Sequence, residues 1–114
     1  MININVDEGY AFDYLSILEI KSINIGTDEA IDTFQKCKDF LCSQISSDIF
    51  NKIYNSSEYN ECKSANQLTF QAVERARYGD ITAKEVDECN MKRYQAKVNL
   101  QKKFFNSDIV EVKT

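Results

Sequence analysis

Three polar side chains recur on one side of a helix that the sequence predicts over Thr82 to Phe105. Asn90, Arg93 and Lys97 are spaced three and four positions apart, so a helix places them side by side among apolar residues. Polar groups on an apolar face need hydrogen-bond partners or a ligand. Because guanidinium and ammonium groups suit an anion, this row is the first candidate for a binding site.

Both a structural and a functional role fit these cations. In the structural alternative, Arg93 pairs with a carboxylate from a neighbouring helix and Lys97 extends to solvent. In the functional alternative, the two cations contact a ligand. Arg75 and Arg77 present the same choice, since cations in the last turn of a helix complement its dipole but can also help to bind an anion.

The composition restricts the chemistry that the chain can perform. There is no His among the 114 residues, so Ser-His-Asp and Cys-His nucleophile arrangements are excluded. Any acid–base role falls to Asp, Glu, Lys, Tyr or Cys. The four Cys form no Cys-x-x-Cys pair, so we expect reduced core thiols, no metal site and no cofactor.

Charge and hydropathy patterns limit the partners. The net charge of −4 argues against nonspecific nucleic-acid binding, which needs a basic surface. No apolar run approaches the roughly 20 residues that cross a bilayer, and no basic stretch precedes an apolar one at the N-terminus. We therefore expect a cytoplasmic protein that does not bind membranes.

The elements that position the polar row are predicted to be helices. No Pro and only three Gly favour long helices over a turn-rich β fold. We predict one domain over residues 1–114, a bundle of four to five helices, with a C-terminal helical hairpin closed by Gly79 to Ile81. The predicted helices cover residues 8–24, a segment from about 28 whose apolar face runs to Ile45, a short segment after Ser46 to Asp48, 58–78 and 82–105. Residues 2–6 and 108–113 have the alternating or β-branched pattern of short strands.

The first helix is apolar on most sides and should therefore be buried. Its internal polar residues are Asp13, Glu19 and Lys21. We expect these three side chains to meet the polar row of the last helix and to form a polar network with it.

The last helix carries a second apolar stripe beside the first. Its members are Met91, Tyr94, Val98 and Phe105. A helix with two apolar stripes generally has two packing partners. Such a helix is either central in its own domain or shared with another subunit. We predict the second case, in which this stripe is a subunit interface and the protein is a homo-oligomer.

Two separated segments resemble a family of small uncharacterised proteins from bacteria and tailed phages, some of them encoded near surface-sugar genes. Val6 to Lys21 resembles the family's opening, an Asp followed closely by an Ile-Leu-Glu-Ile-Lys run. Asn90, Arg93 and Lys97 look like its Asn-x-x-Arg-x-x-x-Lys helix, and residues 107–113 look like its terminal Ile-Val-Glu-Val-Lys strand. The resemblance implies a helical fold with terminal strands and no particular activity.

Three functions fit these observations. The first is a non-enzymatic oligomeric binding protein, phage-encoded and acting in the host cytoplasm, that captures a nucleotide-like anion or a host protein. Its predicted anion ligands are Arg93, Lys97, Arg75, Arg77 and Asn90. The second is an assembly protein that acts only through its oligomer interface. The third is a small enzyme of sugar or nucleotide metabolism, suggested by the carboxylates and lysine of the first helix.

Overall fold

Five α-helices make up the described part of the chain. The computed structural model describes residue 2 and residues 4–108. The helices are α1 Glu8–Asn24, α2 Asp28–Ile45, α3 Ser47–Tyr54, α4 Ser57–Arg77 and α5 Ala83–Phe105. The predicted mainly α class, its number of helices and its C-terminal hairpin, formed by α4 and α5, are confirmed.

Short polar side chains determine where most of these helices begin. A side-chain hydroxyl at the position before the helix accepts from a backbone N–H of the first turn, which satisfies an otherwise unpaired donor. The hydroxyls belong to Thr27, Ser46, Ser56 and Thr82. At the far end of α4, Gly79 has φ +74°, a left-handed conformation that side chains disfavour, and it turns the chain toward α5.

The first helix is capped differently from the other four. Asp7 occupies the capping position of α1, but its side chain makes no capping hydrogen bond. Instead, the Gly9 amide donates to Oε1 of Gln101 on α5, at 2.6 Å. Gln101 Nε2 donates in turn to Glu8 Oε2 at 2.8 Å, so α5 replaces the local cap of α1.

The short β-strands predicted at both termini are not supported. Within residues 2 and 4–108 there is no strand, and Asn5 alone takes part in an isolated bridge. Apart from Asp108, the predicted C-terminal strand lies outside the described residues. An alternating pattern over so few residues gives a weak strand signal, and a two-stranded ribbon is marginal in water.

The core lies where α1, α3, α4 and α5 meet. Its buried members are Phe12, Leu15, Phe50, Ile53, Tyr59, Cys62, Ala65, Ala96 and Leu100. The helix α1 is buried as predicted, whereas α2 contributes one partly buried apolar face and no fully buried residue. No helix in the described part of the chain combines the length and the apolar character needed to span a membrane.

Candidate functional site

Two buried carboxylates lie on α1, and each organises a separate polar network. Asp13 is 1% exposed and Glu19 is 7% exposed. Burying a carboxylate is costly unless hydrogen bonds or a cation compensate the charge. The partners of the two residues therefore show what each network does.

The network around Glu19 is closed by three donors, and we call it the closed network. Glu19 Oε1 accepts from the hydroxyls of Tyr54 at 2.9 Å and Tyr59 at 3.0 Å. Its Oε2 accepts from Lys63 Nζ at 2.8 Å. These bonds connect α1 to α3 and α4, so the closed network holds three helices together.

The donors change the acidity of the closed network. Burial acts to raise the pKa of Glu19, but the hydrogen bonds from Lys63, Tyr54 and Tyr59 outweigh burial, and the pKa lies below its usual value. Burial and the Glu19 carboxylate raise the pKa of Tyr54 to about 12. The same causes raise the pKa of Tyr59. The network is thus built for an ionised carboxylate and two neutral phenols.

The network around Asp13 has fewer donors, and we call it the open network. Asp13 Oδ1 accepts from Asn66 Nδ2 at 2.8 Å, and Oδ2 accepts from Arg93 Nη2 at 3.1 Å. Asn66 Nδ2 also donates to Ser16 Oγ at 2.8 Å. The Ser16 hydroxyl donates to the Asp13 carbonyl oxygen at 2.7 Å, so both Ser16 and Asn66 are held against Asp13.

Arg93 uses little of its hydrogen-bonding capacity. Its guanidinium group has five N–H donors, and one contact to Asp13 accounts for Nη2. Its Nε is buried without a hydrogen-bond partner, the single such side-chain atom in residues 2 and 4–108. A buried donor without a partner costs about 1–3 kcal/mol, and it commonly marks a place for an unseen water or ligand.

A groove between α1 and α4 lies over Arg93, and we call it the Arg93 groove. Its volume is about 210 Å³. Its lining residues are Ile17, Ile20, Lys21, Asn66, Thr69, Phe70, Val73 and Arg93. The walls are mostly apolar, and the two charged groups, Lys21 and Arg93, are both cations.

A larger groove of about 500 Å³ lies between α4 and α5. The charged residues that line it are Glu61 and Lys92, which are exposed and opposite in sign. No buried unpaired donor lines this second groove. It therefore lacks the electrostatic feature that distinguishes the Arg93 groove.

The structure brings only part of the predicted polar network to the row on α5. Asp13 forms an ion pair with Arg93, and Lys21 lines the same groove as Arg93. Glu19 does not reach the row and belongs to the closed network instead. Asn66 was not among the predicted residues. It lies four residues after buried Cys62 on the apolar side of α4, and this spacing is the sequence signal from which its burial could have been predicted.

Lys97 does not line the Arg93 groove. Its side chain is buried, and Nζ lies 3.9 Å from the ring centroid of Tyr10 and 5.8 Å from that of Tyr94. An ammonium group over an aromatic face is stabilised by the ring quadrupole. This cation–π contact holds Lys97 against Tyr10 of α1 and away from the Arg93 groove.

The other predicted anion ligands lie apart from Arg93. Arg75 Nη2 donates to the Asp80 carbonyl oxygen at 3.2 Å, and Arg77 Nη1 lies 3.7 Å from Glu74 Oε2. Asn90 is exposed. None of these three predicted ligands lines the Arg93 groove. The five predicted ligands thus do not converge on one site.

The predicted interface stripe is divided in the structure. Met91 is 71% exposed and Tyr94 is 46% exposed. Val98 and Phe105 are partly buried, and Phe105 packs against the hydrophobic core. The part of the stripe that remains open on the surface is therefore the part around Met91 and Tyr94.

The cysteines offer no reactive group at either network. All four are free thiols. Cys62 is fully buried, and burial, with Asp13 and Glu61, raises its pKa to about 12. Among the residues that the structure describes, no three His, Cys, Asp or Glu side chains cluster in a way that could hold a metal ion.

Comparison of this chain with protein-family models, with curated proteins and with solved structures finds no match.

Proposed function

We propose that this protein is a non-enzymatic binding protein that captures a small anionic molecule in the Arg93 groove. The observation that carries the proposal is the buried Nε of Arg93, which has no hydrogen-bond partner beside an apolar groove. After a small rotation of the side chain, an anion that accepts from the guanidinium group would supply the missing partner.

The charge balance of the groove supports an anionic ligand. Asp13 compensates the charge of Arg93 through one contact at 3.1 Å. Lys21 is exposed at the groove and forms no ion pair within the described residues. Arg93 and Lys21 carry two positive charges against the single negative charge of Asp13. The groove therefore has a net positive charge, which attracts an anion.

The lining of the groove favours binding over catalysis. No carboxylate, thiol or phenol is among its lining residues. The Thr69 hydroxyl is committed to the Ala65 carbonyl oxygen at 2.8 Å. A nucleophile or a general base would have to be Lys21 alone, whereas binding needs only the cations and apolar walls that are present.

A titration monitored by two-dimensional amide NMR tests this proposal. The panel contains inorganic phosphate, AMP, a cyclic nucleotide and short carboxylates. We expect at least one of these anions to shift the amide signals of the residues that line the Arg93 groove, and we expect Arg93→Gln to abolish the shifts.

The matched control for that experiment is Arg77→Gln, which removes an exposed arginine from the last turn of α4 without touching the groove. Anion binding should survive this substitution. Absence of any groove-specific shift with the whole panel, or equal loss of binding in the two variants, would contradict the proposal.

A second candidate function is assembly through the exposed part of α5. Met91 and Tyr94 favour it because they are exposed neighbours three positions apart on α5, and a contiguous apolar patch on a surface commonly marks an interface. The partner would be a second copy of the chain or, for a phage-encoded protein, a host protein. Sedimentation tests the first case: Tyr94→Glu should dissociate an oligomer, while Phe40→Glu, an equally drastic change on the exposed side of α2, should not.

A further inference from the structure

We infer that the Arg93 groove selects a small apolar monocarboxylate, such as a medium-chain or aryl carboxylic acid, rather than a nucleotide. This inference rests on the proposed function and specifies its ligand. It depends on the size of the groove, on the secondary structure that lines it, on its walls and on the geometry of Arg93.

The size of the groove suits a ligand that is smaller than a nucleotide. Its volume of about 210 Å³ lies below the range of about 300–1,000 Å³ that is typical of pockets for drug-sized ligands. It corresponds to the volume of about seven water molecules in the liquid. A short alkyl chain or a single aromatic ring with a carboxylate matches this space, whereas a nucleoside monophosphate has more than twice as many non-hydrogen atoms.

The backbone around the groove is unsuited to a phosphate group. Phosphate sites typically use free backbone N–H groups at the start of a helix or in a glycine-rich loop. The residues that line the Arg93 groove all lie beyond the first turns of α1, α4 and α5, where backbone N–H groups are used within the helix. The donors available to an anion are therefore the side chains of Arg93 and Lys21.

The walls supply an apolar surface that a hydrophilic anion would leave unused. Ile17 and Ile20 line the groove from α1, and Phe70 and Val73 line it from α4. Phe70 and Val73 are 46% and 42% exposed, so both can lose further contact with water when a ligand covers them. Burial of apolar surface contributes roughly 25 cal/mol per Å², which rewards an alkyl or aryl group.

Arg93 is held loosely enough to engage a carboxylate. Its contact with Asp13 is a single one at 3.1 Å, and its side chain is 32% exposed. A small tilt of the guanidinium group can present a pair of N–H donors to a ligand carboxylate in the bidentate geometry that arginine favours. Lys21 at the rim adds a second positive charge without restricting the ligand's orientation.

Calorimetric titration of the full chain with a series of carboxylates tests the inference. The ligands are acetate, butyrate, hexanoate and octanoate, with hexanamide as the uncharged analogue of hexanoate. We expect the Kd to fall about fourfold for each added methylene until the groove is filled. Hexanamide should bind at least tenfold more weakly than hexanoate, and AMP and inorganic phosphate should bind no better than acetate.

Variants of the apolar wall show where the chain of the ligand lies. Phe70→Ala should weaken octanoate binding about fivefold and leave acetate binding unchanged, because acetate does not reach the wall. The matched control is Phe40→Ala, which removes an exposed phenyl group from α2, outside the groove. Val73→Trp should block hexanoate and octanoate by filling the groove from an exposed position where a larger side chain does not disturb the core.

The outcomes separate this inference from the proposed function. Binding of AMP or phosphate that depends on Arg93 and exceeds the binding of hexanoate would overturn the inference and leave the proposed function standing. A Kd that does not change with the alkyl-chain length of the carboxylate would also overturn the inference and leave the proposed function standing. Failure of every anion to bind would overturn both. Lys21→Gln, which leaves the core intact, should weaken carboxylate binding, and it provides the charge test if Arg93→Gln is poorly folded.

Discussion

The two carboxylates of α1 show how one helix supports two different kinds of polar network. Glu19 receives three donors, at 2.8, 2.9 and 3.0 Å, and it leaves no unpaired donor behind. Asp13 receives two side-chain donors, and one of them, Arg93, keeps an unpaired Nε. A fully paired network serves the fold, whereas an incompletely paired one leaves hydrogen-bonding capacity for a ligand.

The positions of the networks agree with this division. The closed network includes two members of an aromatic cluster, in which the rings of Tyr54 and Tyr59 are 5.0 Å apart and those of Phe50 and Tyr54 are 5.6 Å apart. The open network lies near the end of the core. In α5 the buried residues begin at Ala96, after Arg93, and none lies in the preceding turns. Arg93 thus stands where the packed interior gives way to the surface.

The largest expected difference between the networks is in their contribution to stability. Glu19→Ala should lower the free energy of unfolding by about 3 kcal/mol, because it leaves two tyrosine hydroxyls and an ammonium group without their acceptor. Asp13→Ala should cost about 2 kcal/mol, since Asn66 keeps its bond to Ser16 and Arg93 can turn toward solvent. Urea unfolding monitored by circular dichroism measures both values.

The control for that pair is Glu74→Ala, which removes an exposed carboxylate whose contact to Arg77 spans 3.7 Å. It should change stability little, since exposed pairs contribute about 0–1 kcal/mol. A larger loss for Asp13→Ala than for Glu19→Ala would contradict the division into closed and open networks.

A finer test compares the two tyrosines of the closed network. Tyr59→Phe should cost about 2 kcal/mol, because Tyr59 is almost fully buried and its hydroxyl donates to a charged acceptor. Tyr54→Phe should cost about 1 kcal/mol, because Tyr54 is partly exposed and water can replace its hydroxyl. Both substitutions keep the ring, so the difference in unfolding free energy isolates the hydrogen bond. Equal costs would show that burial does not control its strength.

The helices and their limits could be predicted because the signals are local. The caps Thr27 and Thr82 are recognisable within four residues of sequence, and so is the turn at Gly79. The burial of α1 also followed from its own composition. The absence of a strand in residues 4–6 could not be predicted from the local sequence, because strand formation depends on a partner elsewhere in the chain.

The networks could be predicted only in part, because their members are distant in sequence. The apolar surroundings of Arg93 indicated a need for a carboxylate, but the choice of Asp13 over Glu19 depends on how α1 and α5 are aligned. The partners of Glu19 come from α3 and α4, and their approach has no local signature. The contact of Lys97 with Tyr10 was missed for the same reason, since an aromatic face is not recognisable as a partner in the sequence.

The acid stability of the protein should depend on the closed network. The pKa of Glu19 is lowered from 4.5 in the folded protein, so below about pH 4.5 the unfolded chain takes up the proton more readily than the folded one. The contribution of Glu19 to stability is therefore complete above this pH and is lost as the pH falls through the folded pKa. Urea unfolding between neutral and acidic pH should show a shallower loss for Glu19→Gln than for the natural sequence. If the two proteins lost stability identically as the pH fell, Glu19 would be excluded as a source of the acid sensitivity.

The smallest expected effect on stability comes from Lys63 and Arg93. These two cations also give the sharpest comparison, because they are closely matched in exposure and in their contacts. The side chain of Lys63 is 35% exposed and that of Arg93 is 32% exposed, and each contacts one carboxylate of α1. Lys63→Gln and Arg93→Gln should each cost about 1 kcal/mol, since glutamine retains a donor for the carboxylate and loses only the charge. Their effects on anion binding should nevertheless differ completely: Arg93→Gln should abolish the amide shifts caused by hexanoate, and Lys63→Gln should preserve them. Because the stabilities match, a difference in binding cannot arise from partial unfolding, and retention of binding by Arg93→Gln would place the anion site elsewhere.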